Sequence, residues 1–186
     1  MQLASERIVT KEEWFGLPEW PKTEVLDSII IRMDAPSISH QRVLRNIAFE
    51  FSGKMKVCET FIQTNLVLDA QRSNFLIPDI QVVCDPSIIK ERAVEGIPFI
   101  IAEIISNSSI SSIKRDLVYK MNLYQKYKVP YYLAVDIENK TVLFFCFLEN
   151  NIAYSFAEYN LSDSIKIRGA EDMEIQVDVS GIFAGI

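Results

Sequence analysis

A chain of 186 residues that is 49% hydrophobic and 24% charged, with 7 prolines and 6 glycines, has the composition of an ordinary folded domain and not of a disordered one. Its one histidine excludes multi-histidine metal motifs such as HExxH, and no GxxxxGK(S/T) or GxGxxG loop is present to cradle a nucleotide, so no nucleotide cofactor is expected. The net charge of −6 argues against a strongly basic nucleic-acid binder.

The N-terminal MQLASERIVT has no apolar core of a secretory leader, and no apolar run approaches the ~18 residues of a membrane span. A soluble, cytoplasmic protein without membrane contact is expected, with residues 1–186 forming a single domain. Cys58, Cys84 and Cys146 include no CxxC pair; they read as buried small hydrophobes, with neither a disulfide framework nor a zinc knuckle.

In chain order, Thr10 with Glu13 fits a capping box that starts a short helix before Pro18 and Pro21. SIIIRM reads as a first strand. After Pro36, Ser37 or Ser39 can cap a helix running to about Met55, with Val43, Leu44, Ile47, Phe51 and Met55 at helical spacing. Three β-rich runs follow, ETFIQTNLVL, DIQVVC and FIIAEII. Residues 110–127 predict a second helix, with serines 108, 109, 111 and 112 as candidate caps. Beyond Pro130, YYLAVDI and TVLFFCFL read as a hairpin, IAYSFAEY adds a strand, and MEIQVDV closes the chain. The order predicts an α/β domain with a central mixed β-sheet flanked by helices.

Two features of opposite sign stand out. Glu103 lies within the apolar FIIAEIIS, on the face of Ile101 and Ile105, where an unpaired carboxylate is costly. On a wheel of about 100° per residue with Ile113 at zero, Lys120 falls near −20° and Asp116 near −60°, inside the apolar arc of Leu117, Leu123 and Tyr124. The ammonium and the carboxylate answer each other. Asp79, in IPDIQVV, opens a neighbouring strand. Two carboxylates and a lysine converging at a sheet end could hold Mg²⁺, which favours oxygen ligands, with the lysine assisting water attack and offsetting phosphate charge. Simpler readings stand beside this one. Glu103 could face solvent, Lys120 could snorkel or form an ordinary i,i+4 pair with Asp116, and Asp79 could begin a turn.

IPDIQVV, AEIIS, RDLVYKMNLY and VPYYLAVD, in that order, resemble the Uma-type putative restriction endonuclease family of the PD-(D/E)XK phosphodiesterase superfamily. The resemblance runs from EEW near the N-terminus to VDVSGIF near the end and implies a restriction-endonuclease-like core. It also implies that Asp79 and Glu103 bind Mg²⁺ or Mn²⁺. The lysine usually two residues after the acid is Ile105 here; in Uma-type proteins it sits on the following helix, matching Lys120 with Asp116 one turn earlier. SNSS and KVPYYL depart from the family's SPST and GVPEYW without removing a ligand. Nucleases of this superfamily often add a glutamate from the first core helix. Glu50 is the accessory candidate, against a reading as a solvated helix edge. APSISH resembles the family's proline turn and raises His40, against a reading as a structural histidine.

Basic residues concentrate in two stretches, residues 42–56 with net charge +3 and residues 114–128 with +4, so the acidic excess lies elsewhere. The expected function is a metal-dependent endonuclease hydrolysing phosphodiester bonds in DNA, with homodimerisation a natural way to cut both strands. The competing reading is a catalytically inactive nuclease-fold module that binds nucleic acid or a protein partner.

Overall fold

Strand pairing divides the chain into two large sheets and a separate hairpin. The computed structural model describes residues 8–105, 115–147, 155–169 and 174–186, the side chains of residues 115 and 116 excepted. The expected capping box is formed: Glu13 N–H donates to Thr10 Oγ1 (3.1 Å) and Thr10 N–H to Glu13 Oε2 (2.9 Å), starting α1 (Lys11–Phe15). Next comes a hairpin, β1 (Thr23–Leu26) and β2 (Ile29–Arg32). Its turn residues Asp27 and Ser28 have φ of 45° and 69°, the left-handed pair that matches strand twist in two-residue hairpins. SIIIRM is thus half of a hairpin whose other half, TEVL, the pattern did not reveal.

Ser37 is the cap of α2 (Ile38–Lys54), its hydroxyl accepting from His40 N–H at 3.1 Å. The helix buries Val43, Leu44, Ile47 and Phe51 as its spacing predicts. ETFIQTNLVL is two strands, β3 (Glu59–Ile62) and β4 (Leu66–Asp69), and they belong to different sheets. Between them Gln63 takes a φ of 45°, which re-aims the chain. Then follow β5 (Asn74–Leu76), β6 (Ile80–Val83), β7 (Val94–Glu95) and β8 (Ile100–Ile105). A π-helical segment, Arg115–Lys120, runs into α3 (Met121–Lys126). The chain ends with β9 (Tyr131–Asp136), β10 (Thr141–Cys146), β11 (Ser155–Tyr159), β12 (Ser164–Arg168), β13 (Glu174–Asp178) and α4 (Val179–Ile182). The serine caps expected at 108–112, and Ile113, lie outside the described residues.

The six-stranded sheet has the order β11-β10-β9-β8-β6-β3, with β8 and β9 parallel and the other pairs antiparallel. One face packs Ile80, Val82, Ile100 and Ala102 on α2, α4 and the β12–β13 hairpin. On the other, Ile101, Ile105 and Tyr132 meet Leu123 and Tyr124 of α3 together with Leu66 and Leu76 of the second sheet. That second sheet, β2-β1-β5-β4-β7, turns its far face, with Val25, Val67 and Phe75, to Trp14 of α1. Helix α3 is therefore wedged beside both sheets. Tyr127, just past its end, donates to Asp69 Oδ2 at 2.5 Å; burial and that bond push the Tyr127 hydroxyl up to about 12. No helix among the described residues is long and apolar enough to cross a membrane.

The cysteines correct the sequence reading. Cys58 and Cys84 form a disulfide, and Cys146 is a free, half-buried thiol. The β3–β6 register pairs Glu59 with Val83, so the next residues outward, Cys58 and Cys84, face each other across the ladder. A sequence separation of 26 hides that adjacency. Closing a loop of that size restricts the unfolded chain by about 3–4 kcal/mol in the chain-entropy model. Reduction should lower the urea midpoint of the wild type and leave Cys58→Ser unmoved; equal midpoints with and without reductant would show that the bridge contributes nothing.

Candidate active site between the two sheets

Adjacent antiparallel strands β6 and β8 pair Ile80 with Ala102, which sets Asp79, one residue beyond the ladder, opposite Glu103. Pro78 carries no N–H for the ladder, which ends at Ile80 and Ala102, and the Ile104 amide turns to the Asp79 side chain instead. Asp79 is 6% exposed and fully engaged. Its Oδ2 accepts from Ile104 N–H at 2.9 Å and lies 3.1 Å from His40 Nε2, while its Oδ1 accepts from Gln63 Nε2 at 3.2 Å. Gln63 N–H also donates to the Asp79 carbonyl at 3.0 Å. The Ser37 cap places His40 in the first turn of α2, against Asp79.

Burial alone would raise the Asp79 carboxyl, but the His40 bond and charge, the Ile104 amide and Gln63 together hold it below the usual range. A depressed carboxyl stabilises the fold above its unfolded value of about 3.9, and that contribution disappears as pH falls through the lower folded value. Stability should therefore decline on acidification below about pH 4, and Asp79→Asn should flatten this limb in acid-titrated chemical denaturation. An unchanged limb in Asp79→Asn would assign the acid sensitivity to other carboxylates.

Glu103 projects from the other face of β8 than Ala102 and Ile104, into the space between the sheets, and is 3% exposed. Lys120, at the junction of the π segment and α3, is 1% exposed and reaches it: Nζ donates to Glu103 Oε1 at 3.0 Å. Tyr124, one turn later, donates its hydroxyl to the same oxygen at 2.8 Å. Burial first, then the charges of Glu103 and Glu24, push the Tyr124 hydroxyl well above its ordinary value, so it remains a proton donor.

The sequence reading missed Glu24. It lies in β1 of the second sheet, is completely buried, and its Oε1 is 2.9 Å from Lys120 Nζ. The same oxygen accepts from Ile77 N–H at 2.8 Å, whereas Oε2 has no hydrogen-bond partner among the described residues. Lys120 thus bridges a carboxylate from each sheet. A hairpin reading of TEVLDSIIIR would have put Glu24 on the opposite face from Val25, the one signal available. Tyr124 was expected only as a core residue, and Gln63 only as a member of a strand.

Of the accessory candidates, Glu50 is placed elsewhere. Glu50 pairs with Lys54 and lies beside Gly181 of α4. The Asp116 side chain lies outside the described residues. Of the basic residues on α2, Arg42 donates to the Gly185 carbonyl and Lys54 to the Gln176 carbonyl, so these two brace the C-terminal segment.

Glu24 and Glu103 offer carboxylate oxygens on either side of Lys120, a donor chemistry suited to a hard divalent ion, while the Asp79 carboxylate is engaged by His40, Gln63 and the Ile104 amide. No cluster of three or more His, Cys, Asp or Glu residues able to hold a metal occurs among the described residues. Mg²⁺ does not require one, since it commonly binds through one or two carboxylates and fills its shell with water and substrate phosphate. Glu24, Glu103 and Lys120 formally sum to one negative charge in a buried space, and Glu24 Oε2 has no hydrogen-bond partner among the described residues. The residues present therefore fit a cation.

No curated protein matches the chain. Among solved structures, it is similar to a nuclease described as putative, belonging to DUF820, from Anabaena variabilis ATCC 29413, with a TM-score of 0.74 and 16% identity over 95% of this chain and 98% of that one. The likeness establishes the fold as restriction-endonuclease-like. The model of the Uma2 family, described as "Putative restriction endonuclease", matches residues 12–179, and the chain belongs to that family.

Proposed function

We propose that the protein is a metal-dependent endonuclease that hydrolyses phosphodiester bonds in nucleic acid, with DNA the first substrate to test. The observation that carries this reading is the buried Lys120 ammonium held between Glu24 and Glu103, with Asp79 across the strand register from Glu103. Such a site places a fixed positive charge and several carboxylates where water is largely excluded, the environment in which charge stabilisation is strongest. Asp79 and Glu103 would hold Mg²⁺ or Mn²⁺, and Glu24 is the second carboxylate on Lys120 and shares its charge. The ion supplies Lewis acidity toward a phosphate oxygen. Lys120 offsets charge that develops on the phosphate during attack. Tyr124 keeps Glu103 oriented, and His40 and Gln63 do the same for Asp79.

The test is cleavage of single-stranded, duplex and branched DNA, and of RNA, with Mg²⁺ or Mn²⁺. Alongside it, the thermal midpoint is followed as either ion is titrated. Cleavage and a metal-dependent rise in midpoint are expected in the wild type, and both should vanish in Asp79→Ala and Glu103→Ala. A wild type that neither cleaves nor responds to metal would leave the non-catalytic binding module as the better reading. Homodimerisation belongs to the proposal as the arrangement that brings two such sites to opposite strands.

A further inference from the structure

On the side of the second sheet that carries α1 a second feature opens, which the proposed chemistry does not use. A half-open cleft of about 360 Å³ is lined by Trp14, Phe15, Lys22, Asn65, Ile77 and Arg92, with Glu19 also contributing to its wall. Its composition is aromatic and basic: the Arg92 guanidinium lies over the Phe15 ring at 4.3 Å, and Phe15 stacks with Trp14 at 5.2 Å between centroids. Arg92 is further fixed by donating to the Phe15 carbonyl (3.2 Å), and Asn65 donates to the Arg92 carbonyl (3.0 Å). The guanidinium is thus a held, exposed plane. Lys22 and Arg92 against Glu19 leave one positive charge in a protein whose net charge is −6.

Two contacts link the cleft to the carboxylates. Lys22 Nζ donates to the Gln63 carbonyl at 3.2 Å, and the Gln63 side chain donates to Asp79. Ile77 lines the cleft while its N–H holds Glu24. One residue, Gln63, therefore joins the cleft's lysine to Asp79.

We propose that this cleft binds one unpaired nucleotide of the substrate strand, next to the phosphodiester presented to Asp79, Glu103 and Lys120. The inference rests on the nuclease reading for its position but not for its binding chemistry. Lys22 and Arg92 neutralise phosphate, and the Arg92 plane stacks a base, the mode by which proteins hold splayed single strands without reading sequence. The volume lies at the low end of small-ligand pockets, enough for one nucleotide and too small for a base pair with its two backbones. A footprint of two cations also suits an acidic protein, because it does not demand the broad basic face of a duplex binder.

The sequence holds two tryptophans, so Trp20→Phe leaves Trp14, in the cleft wall, as the sole indole reporter. Tetrathymidylate is titrated into this protein without divalent ions, with tetrauridylate and a short blunt duplex in parallel arms. Saturable quenching by either single strand and none by the duplex is expected, with a log–log salt slope of roughly −1.4 for two contacts. Arg92→Ala should weaken single-strand binding roughly 5–150-fold, and Arg92→Lys, which keeps charge but loses the plane, should weaken it in the same direction. Lys22→Gln should flatten the salt slope.

Quenching that is absent, or equally strong in the Arg92 and Lys22 variants, overturns the cleft assignment even if the protein proves to be a nuclease. Quenching with these dependences in a protein that cleaves nothing upholds the cleft and sinks the nuclease reading alone.

Discussion

Replacing Lys120 with methionine should destabilise the protein by about 3–5 kcal/mol, the usual cost of removing one partner from a buried ion pair. The reason is specific to this site. Lys120 Nζ lies 2.9 Å from Glu24 and 3.0 Å from Glu103, so its loss strands carboxylates from both sheets in a space from which water is excluded. Urea denaturation of the single variant and of Lys120→Met combined with Glu24→Gln separates the terms. If stranded charge is the main penalty, the double variant recovers a large part of the stability; additive losses would instead assign the cost to packing of the long side chain. In the cleavage assay, Lys120→Met should lose roughly 10²–10³-fold in rate, the scale expected when one fixed electrostatic partner of the transition state is removed. Equal rates in wild type and variant would remove Lys120 from the proposed chemistry while leaving its structural role intact.

Glu103→Gln carries the second large effect, and it is the cleaner chemical test. The substitution preserves shape, and the amide oxygen can still accept from Tyr124 and Lys120, so the fold should survive. What it removes is a formal negative charge. The rise in thermal midpoint with Mg²⁺ or Mn²⁺, worth about 2.7 kcal/mol at a hundredfold excess over Kd, should disappear, and cleavage should fall by at least roughly 10²-fold. Glu24→Gln distinguishes two roles for the residue that the sequence did not announce. Loss of the metal response would make Glu24 a ligand, whereas an intact response with slower cleavage would make it a residue that positions Lys120.

The sequence and the structure agree where the signal is local or where two anomalies cancel. The capping box at Thr10, the Ser37 cap and the apolar stripe of α2 depend on residues within one or two turns of each other. Glu103 and Lys120 were each out of place in an apolar setting, and the pairing that relieves both is the one observed. Part of that agreement came by an imperfect route, since a wheel of about 100° per residue does not describe residues 115–120, which are π-helical. Non-local features were illegible. Glu24 sits in a four-residue strand and finds its partner far along the chain; Cys58 and Cys84 become neighbours only through the β3–β6 register; and the left-handed Gln63 splits what composition presents as a single β run. In each case the deciding contact joins segments that the sequence keeps apart.

The clasp made by Lys120 also bears on how the molecule opens. Its two acceptors belong to different sheets, and α3 is held again at its far end by Tyr127 on Asp69. Any fluctuation that parts the sheets must break these polar contacts together with the apolar layer of Leu66, Ile101 and Tyr124. The amide hydrogens of β1 and of the middle of β8 should accordingly exchange with solvent through one shared opening event, behaving as a single cooperative unit. A ligand bridging the carboxylates would slow exchange in both strands at once, though they are paired in no common sheet.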